Sequence, residues 1–171
     1  NGIRGLAVLN YLKSKIDVRH VFLAKKNLNN KILKRISIKK TIIESLKDQK
    51  IFDEIKKEKI NLIISAGFPY IFGKIFLKGK YKIDILNLHG GPVPRFRGGS
   101  PLTWQKIEGR KKIGISVLKI NKFIDSGKLM GVSYFENKKS ENIYDINKKA
   151  NKIFCNLLWK IVQKNYLKKK I

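Results

Sequence analysis

Residues 87–101 read NLHGGPVPRFRGGSP. Asn87 and His89 close an apolar run, and the loop after them is rich in glycine, proline and arginine. Further on, Asp125 lies in the segment FIDSGK. An amide, an imidazole and a carboxylate are together the parts of a carbonyl-addition site. The amide can donate to an oxygen that becomes negative during addition. The imidazole can carry a proton near neutral pH, and a carboxylate beside it orients the ring and stabilises its charged form. Glycines let backbone approach a ligand closely, prolines hold the loop in a fixed extended shape, and Arg95 or Arg97 could grip a phosphate or carboxylate. A plainer reading stands beside this one. A histidine at a strand end is commonly a packing or capping residue, and Asp before Ser-Gly is an ordinary turn signature. GPVPRFRGG matches neither a Walker loop nor a GxGxxG fingerprint. Taken alone, these residues define a polar site at a strand edge and leave both readings open.

The elements that position them follow from periodicity. GLAVLNYLK (5–13) is expected to be a helix and IDVRHVFLA (16–24) a strand, with His20 structural inside it. The Lys/Asn-rich stretch 25–40 is expected to be loop. Residues 51–60 place Ile51, Phe52 and Ile55 at helical spacing. NLIISAG (61–67) is a continuous apolar run, the mark of a strand buried on both faces. A short helix over 71–79, a strand over 83–89 that ends on His89, and a helix over 101–109 come next. Strands are expected at 112–120 and 128–136. From Glu141 to Lys164 the residues Ile143, Ile146, Ala150, Ile153, Phe154, Leu157, Leu158 and Ile161 recur at three and four, which predicts a long amphipathic helix. The alternation gives an α/β fold: a mostly parallel sheet with helices on both faces. In such sheets ligands bind beyond the carboxyl ends of strands.

The chain has 171 residues, which fits one domain over 1–171. It carries 39 Lys+Arg against 12 Asp+Glu, a formal charge of +27. Such a field attracts phosphates, acidic sugars, nucleic acid or anionic surfaces. The lysines are scattered and not blocked, which favours compositional drift over a dedicated binding stripe. A lone cysteine, Cys155, falls in a helical apolar pattern and is expected to be buried. No apolar run is long enough to span a bilayer and no metal-ligand spacing is present, so a cytoplasmic, soluble protein without a metal site is expected. Asn1-Gly2 leads straight into a helix, where a βαβ protein would have a preceding strand. The first strand is therefore expected to be missing through N-terminal truncation.

NLHGGPVPRFRGGSPLTW followed by IGISVLKINKFIDSG resembles the N-terminal catalytic domain of the formyltransferases that use 10-formyltetrahydrofolate. That family includes methionyl-tRNA, glycinamide ribonucleotide and sugar-nucleotide formyltransferases. Its pattern of Asn-x-His, a Pro-x-x-Arg-Gly loop, Gly-x-Thr/Ser and Asp-x-Gly is matched by Asn87-Leu88-His89, Pro94-Arg95-Phe96-Arg97-Gly98, Gly114-Ile115-Ser116 and Asp125-Ser126-Gly127. The resemblance implies a Rossmann-like fold, with Asn87, His89 and Asp125 as catalytic residues. It implies that 10-formyltetrahydrofolate is the formyl donor, contacted by Tyr70, Ile71 and Phe72 and by backbone at Ile124 and Asp125. It places Gly91, Pro92, Arg95, Arg97 and Gly98 against an amine acceptor. One departure is that Gly91-Pro92-Val93-Pro94 replaces the usual Ser-Leu-Leu-Pro, removing a hydroxyl. The loop is most like that of the sugar-nucleotide members, so an amino-sugar nucleotide is the expected partner, with Arg4 or Arg97 on its diphosphate. Methionyl-tRNA comes second. An inactive remnant or a basic nucleic-acid-binding module is the alternative from another class, and would need aromatics interleaved along a basic groove.

Overall fold

The computed structural model describes residues 2–26, 28–77 and 83–167. The chain divides into two compact units, Asn1–Leu86 and Asn87–Ile171.

The first unit contains α1 (Gly2–Leu12), β1 (Val21–Ala24), α2 (Asn30–Lys34), β2 (Lys40–Ile43), α3 (Gln49–Lys57), β3 (Leu62–Ser65), α4 (Lys74–Leu77) and the start of β4 (Asp84–His89). β1 and β2 are parallel, in register from Val21↔Lys40 to Ala24↔Ile43. The strand expected over 16–24 is thus shortened to its last four residues. A strand extends only as far as a partner accepts its backbone groups, and β2 offers four.

The stretch 25–40, expected to be loop, holds α2 and leads into β2. The Asn29 side chain caps α2 by accepting from the Lys31 and Ile32 amides at 2.9 and 3.3 Å. Ile32 and Leu33 then pack on a cluster of Leu6, Leu23 and Ile36. α3 buries Ile51, Phe52 and Ile55 as their spacing requires. β3 differs from expectation: Leu62, Ile63 and Ile64 are only half-buried. Among the described strands, β3 stands at the end of its sheet's order with β4 as its one neighbour. The helix expected over 71–79 is seen as Lys74–Leu77, and its remainder lies outside the described residues.

His20 is structural. Its ring stacks beside Phe22, Nε2 lies 2.9 Å from the Thr41 hydroxyl, and Nδ1 lies 3.4 Å from Glu54, which Lys39 holds at 2.6 Å. Burial pushes the imidazole below its ordinary 6.5, aided by Lys39 and opposed by Glu54 and Glu58. A histidine harder to charge when folded favours the native state above the unfolded value, and that advantage is lost as pH falls through the lowered folded value. The urea midpoint is therefore expected to drop as pH falls below 6.5. In His20→Gln that limb should be flat, while the separate loss from Glu54, held below 4.5 by Lys39, should persist at lower pH. An unchanged limb in the variant would assign the effect to other groups.

The second unit contains the end of β4, α5 (Pro101–Ile107), β5 (Lys112–Lys119), β6 (Lys128–Glu136), α6 (Ile143–Val162) and a π-helical turn at Gln163–Leu167. β4 neighbours β5, and β5 pairs antiparallel with β6 from Lys112↔Glu136 to Lys119↔Lys128. Ile113 to Leu118 are all buried, so both faces of β5 are covered. α6 starts at a capping box: the Asn142 side chain accepts from the Tyr144 and Asp145 amides, and Asp145 accepts from the Asn142 amide. It packs on α5, β5 and β6, and buries Ile146, Ala150, Phe154 and Leu158 completely. Ile146, Phe154 and Leu158 each contribute roughly 1.5–3 kcal/mol, and Ala150 less. Cys155 is buried on the same helix.

Candidate active site

Asn87 and His89 lie two apart on β4, and strand residues two apart share a face. Asp125 comes from the loop between β5 and β6. That loop is organised by Asn121, whose side chain accepts from the Phe123 amide and the Ser126 hydroxyl and donates to the Ser126 carbonyl. The turn puts Asp125 at φ +46, a left-handed conformation that Asp tolerates better than most residues. The result brings the three side chains together. Asn87 Nδ2 donates to Asp125 Oδ1 at 3.3 Å, and His89 Nδ1 lies 3.4 Å from Asp125 Oδ2.

Residues 96–98 hold this group from the other side. His89 Nε2 donates to the Phe96 carbonyl. The Gly98 amide donates to Asp125 Oδ2 at 3.0 Å, and Arg97 Nε to the Asp125 carbonyl at 3.1 Å. Both ring nitrogens of His89 thus face oxygen atoms, Nε2 the Phe96 carbonyl and Nδ1 the Asp125 carboxylate. His89 is buried at 5% exposure, while Asn87 is half-buried.

The remaining residues singled out in the sequence take different places. Gly91 is buried, and a Cβ there would come within 2.5 Å of Phe96 Cβ and 2.7 Å of its carbonyl, so its bareness lets the loop pack on itself. Pro92 packs on Gly114. Arg95 lies over the Phe96 ring and 3.6 Å from Glu108, which Arg110 also engages. Ile124 is 61% exposed. In the first unit, Phe72 is buried in a chain of rings with Phe68 and Phe76, Tyr70 meets Phe68 edge-on, and Ile71 is 72% exposed. Arg4 is half-buried in α1, and burial lowers its pKa below the ordinary guanidinium value. Sequence reasoning missed Asn121 and the fully buried Gln105. An Asn two residues before a turn was the available signal for the first; nothing local marked the second. Ser116 is buried on β5 with no hydrogen-bond partner for its hydroxyl among the described residues.

The sequence model of the formyl transferase family matches residues 7–162, a span that includes all three of these side chains. The chain belongs to the formyl transferase family. Among its relatives, the methionyl-tRNA formyltransferase of Campylobacter fetus subsp. fetus is 30% identical over 144 residues, 74% of this chain and 45% of the relative. That of Mesoplasma florum is 32% identical over 106 residues, 60% of this chain and 33% of the relative. This formyl transferase chain thus spans less than half the length of these relatives. The phosphoribosylglycinamide formyltransferase of Bacillus halodurans superposes with a TM-score of 0.80 at 15% identity, covering 99% of this chain and 95% of that one. A formyltetrahydrofolate deformylase from Pseudomonas syringae pv. tomato gives 0.76 at 15% identity, covering 93% and 56%. At such identities the likeness is one of fold, and it is the Rossmann-like α/β fold expected from the sequence. Among the described residues no helix is long and apolar enough to cross a membrane.

Proposed function

We propose that this chain is a formyltransferase catalytic domain, with 10-formyltetrahydrofolate as donor, a primary amine as acceptor, and Asn87, His89 and Asp125 as catalytic residues. The observation that carries the reading is the meeting of amide, imidazole and carboxylate within 3.4 Å, inside the family-matched span. The donor supplies a formyl carbon open to attack by a deprotonated amine. The site's chemistry fits such a carbonyl, because two N–H donors converge beside one carboxylate. Asn87 Nδ2 donates to the oxygen as it becomes negative, and His89 in its charged form does the same. Asp125 stabilises that charge and accepts the proton released by the amine, through water. The same proton is then passed to the donor's nitrogen as its bond to the formyl carbon breaks and tetrahydrofolate leaves. The Phe96 carbonyl on His89 Nε2 has to give way before the ring can reach a substrate oxygen.

For the acceptor, the relatives named as methionyl-tRNA formyltransferases favour the amine of a charged tRNA, and the +27 charge suits a polyanion. This reverses the order of preference drawn from the loop. An amino-sugar nucleotide remains the second reading, on the Gly91–Pro94 departure. Here Arg97 Nε is spent on the Asp125 carbonyl, which weakens its assignment to a diphosphate. The test is an assay of the chain with 10-formyltetrahydrofolate and, separately, charged initiator methionyl-tRNA and amino-sugar nucleotides. Formylated methionyl-tRNA is the expected product. A formylated sugar alone would reverse the acceptor order, and no formyl transfer to either would refute the reading.

A further inference from the structure

Gln105 is 1% exposed, in a helix whose other inward residue, Leu102, is apolar. A buried primary amide is costly unless its hydrogen bonds are made. Here they are made entirely with backbone. Oε1 accepts from the Gly114 amide at 2.7 Å. Nε2 donates to the Gly114 carbonyl at 3.0 Å, the Gly90 carbonyl at 2.9 Å and the Pro101 carbonyl at 3.3 Å. The side chain therefore pairs with both backbone groups of Gly114, as a peptide of a neighbouring strand would. At the same time it ties down Gly90, the residue directly after His89.

Little else can take over this task. A Cβ on Gly114 would come within 2.8 Å of both Pro92 and the Tyr134 ring, so β5 is already closely packed there. One on Gly90 would sit 3.0 Å from Leu102. With the amide removed, the Gly90 carbonyl and both groups of Gly114 would lose a partner, and buried backbone groups do not stay unpaired cheaply. The adjustment open to them is a shift of the chain leaving β4, which carries His89 with it.

We propose that Gln105 is a positioning residue for formyl transfer: by bonding Gly90 and Gly114 together it fixes the end of β4 and so sets the His89 ring against Asp125. The proposal rests on the reading of His89 as catalytic. Gln105→Met keeps the volume and loses every bond; Gln105→Glu keeps the shape and loses the donors. Both are expected to lower kcat roughly 10- to 100-fold with the KM for 10-formyltetrahydrofolate within about twofold, because an ångström of misplacement costs rate and not donor binding. The ¹⁵N resonances of the His89 imidazole should move in both. Wild-type kcat and unmoved His89 resonances, with only a lower unfolding midpoint, would overturn the proposal. So would failure of both variants to fold where the wild type folds, since Gln105 would then be a determinant of the fold. If the wild-type chain transfers no formyl group, the functional reading fails, and the His89 resonances still decide what Gln105 does.

Discussion

His89→Ala is expected to lower kcat for formyl transfer by about 10²- to 10⁴-fold, the range for loss of a positioned acid or a donor to a developing oxyanion. The ring is buried, with Nε2 bonded to the Phe96 carbonyl and Nδ1 3.4 Å from Asp125, so its loss also costs stability. Activity is therefore to be expressed per folded molecule, with urea midpoints measured in parallel. Asp125→Asn separates charge from shape. It keeps an oxygen for the Gly98 amide and removes the negative charge facing His89, and a fall comparable to that of His89→Ala is expected. If His89→Ala stays within about threefold of wild type, the imidazole is not part of the chemistry, and the strand-end histidine reverts to a packing residue.

The second large effect is expected from a residue that touches no substrate. A Cβ on Gly127 would overlap the Lys119 carbonyl oxygen and come within 2.9 Å of its carbon and 3.2 Å of the Asn121 amide. None of these is a flexible side-chain end, so the backbone of the β5–β6 loop must move. Gly127→Ala is expected to cost about 1–3 kcal/mol of stability, typical of overpacking, and to lower kcat together with it by displacing Asp125, two residues away. Gly98→Ala provides the contrast. Nothing lies within 4 Å of a Cβ there, and its cost is the left-handed backbone at φ +87 alone, roughly 1–2 kcal/mol. Loss of activity should be steeper for Gly127→Ala than for Gly98→Ala. The opposite order would show that the Gly98 amide on Asp125 matters more than the placing of the loop.

These effects explain why parts of the molecule were legible and others were not. Ile51, Phe52 and Ile55 are spaced for one helical face and are buried. Of the long series, Ile146, Ala150, Phe154, Leu158 and Ile161 are buried, Ile153 and Leu157 half-buried, and Ile143, in the first turn, exposed. α2 and β2 were not foreseen because both are short, five and four residues. α2 depends on the Asn29 cap and on Leu6 and Leu23 from elsewhere in the chain, and β2 on pairing with β1. The length of β1 and the half-burial of β3 likewise depend on which neighbours a strand obtains, and local periodicity carries no information on that.

At the site the division is similar. The spacing of Asn87 and His89 and the loop that follows them were enough to indicate a polar strand end, because period-two geometry puts both residues on one face. Asp125 lies 38 residues from Asn87, and only the folded chain shows that its carboxylate meets both side chains. Folding also redistributed the roles within the loop. Gly91, Arg97 and Gly98 suit an anionic ligand by residue type, but Gly91 lets the loop pack on Phe96, while Arg97 and Gly98 hold Asp125. Gln105 could not have been found in advance, since an amide in a helical segment reads as a surface residue until the backbone groups around it are in place. Residue types and short spacings determined which chemistry was available; long-range packing decided which groups meet and which merely support them, because hydrogen-bond partners are assigned by the whole fold.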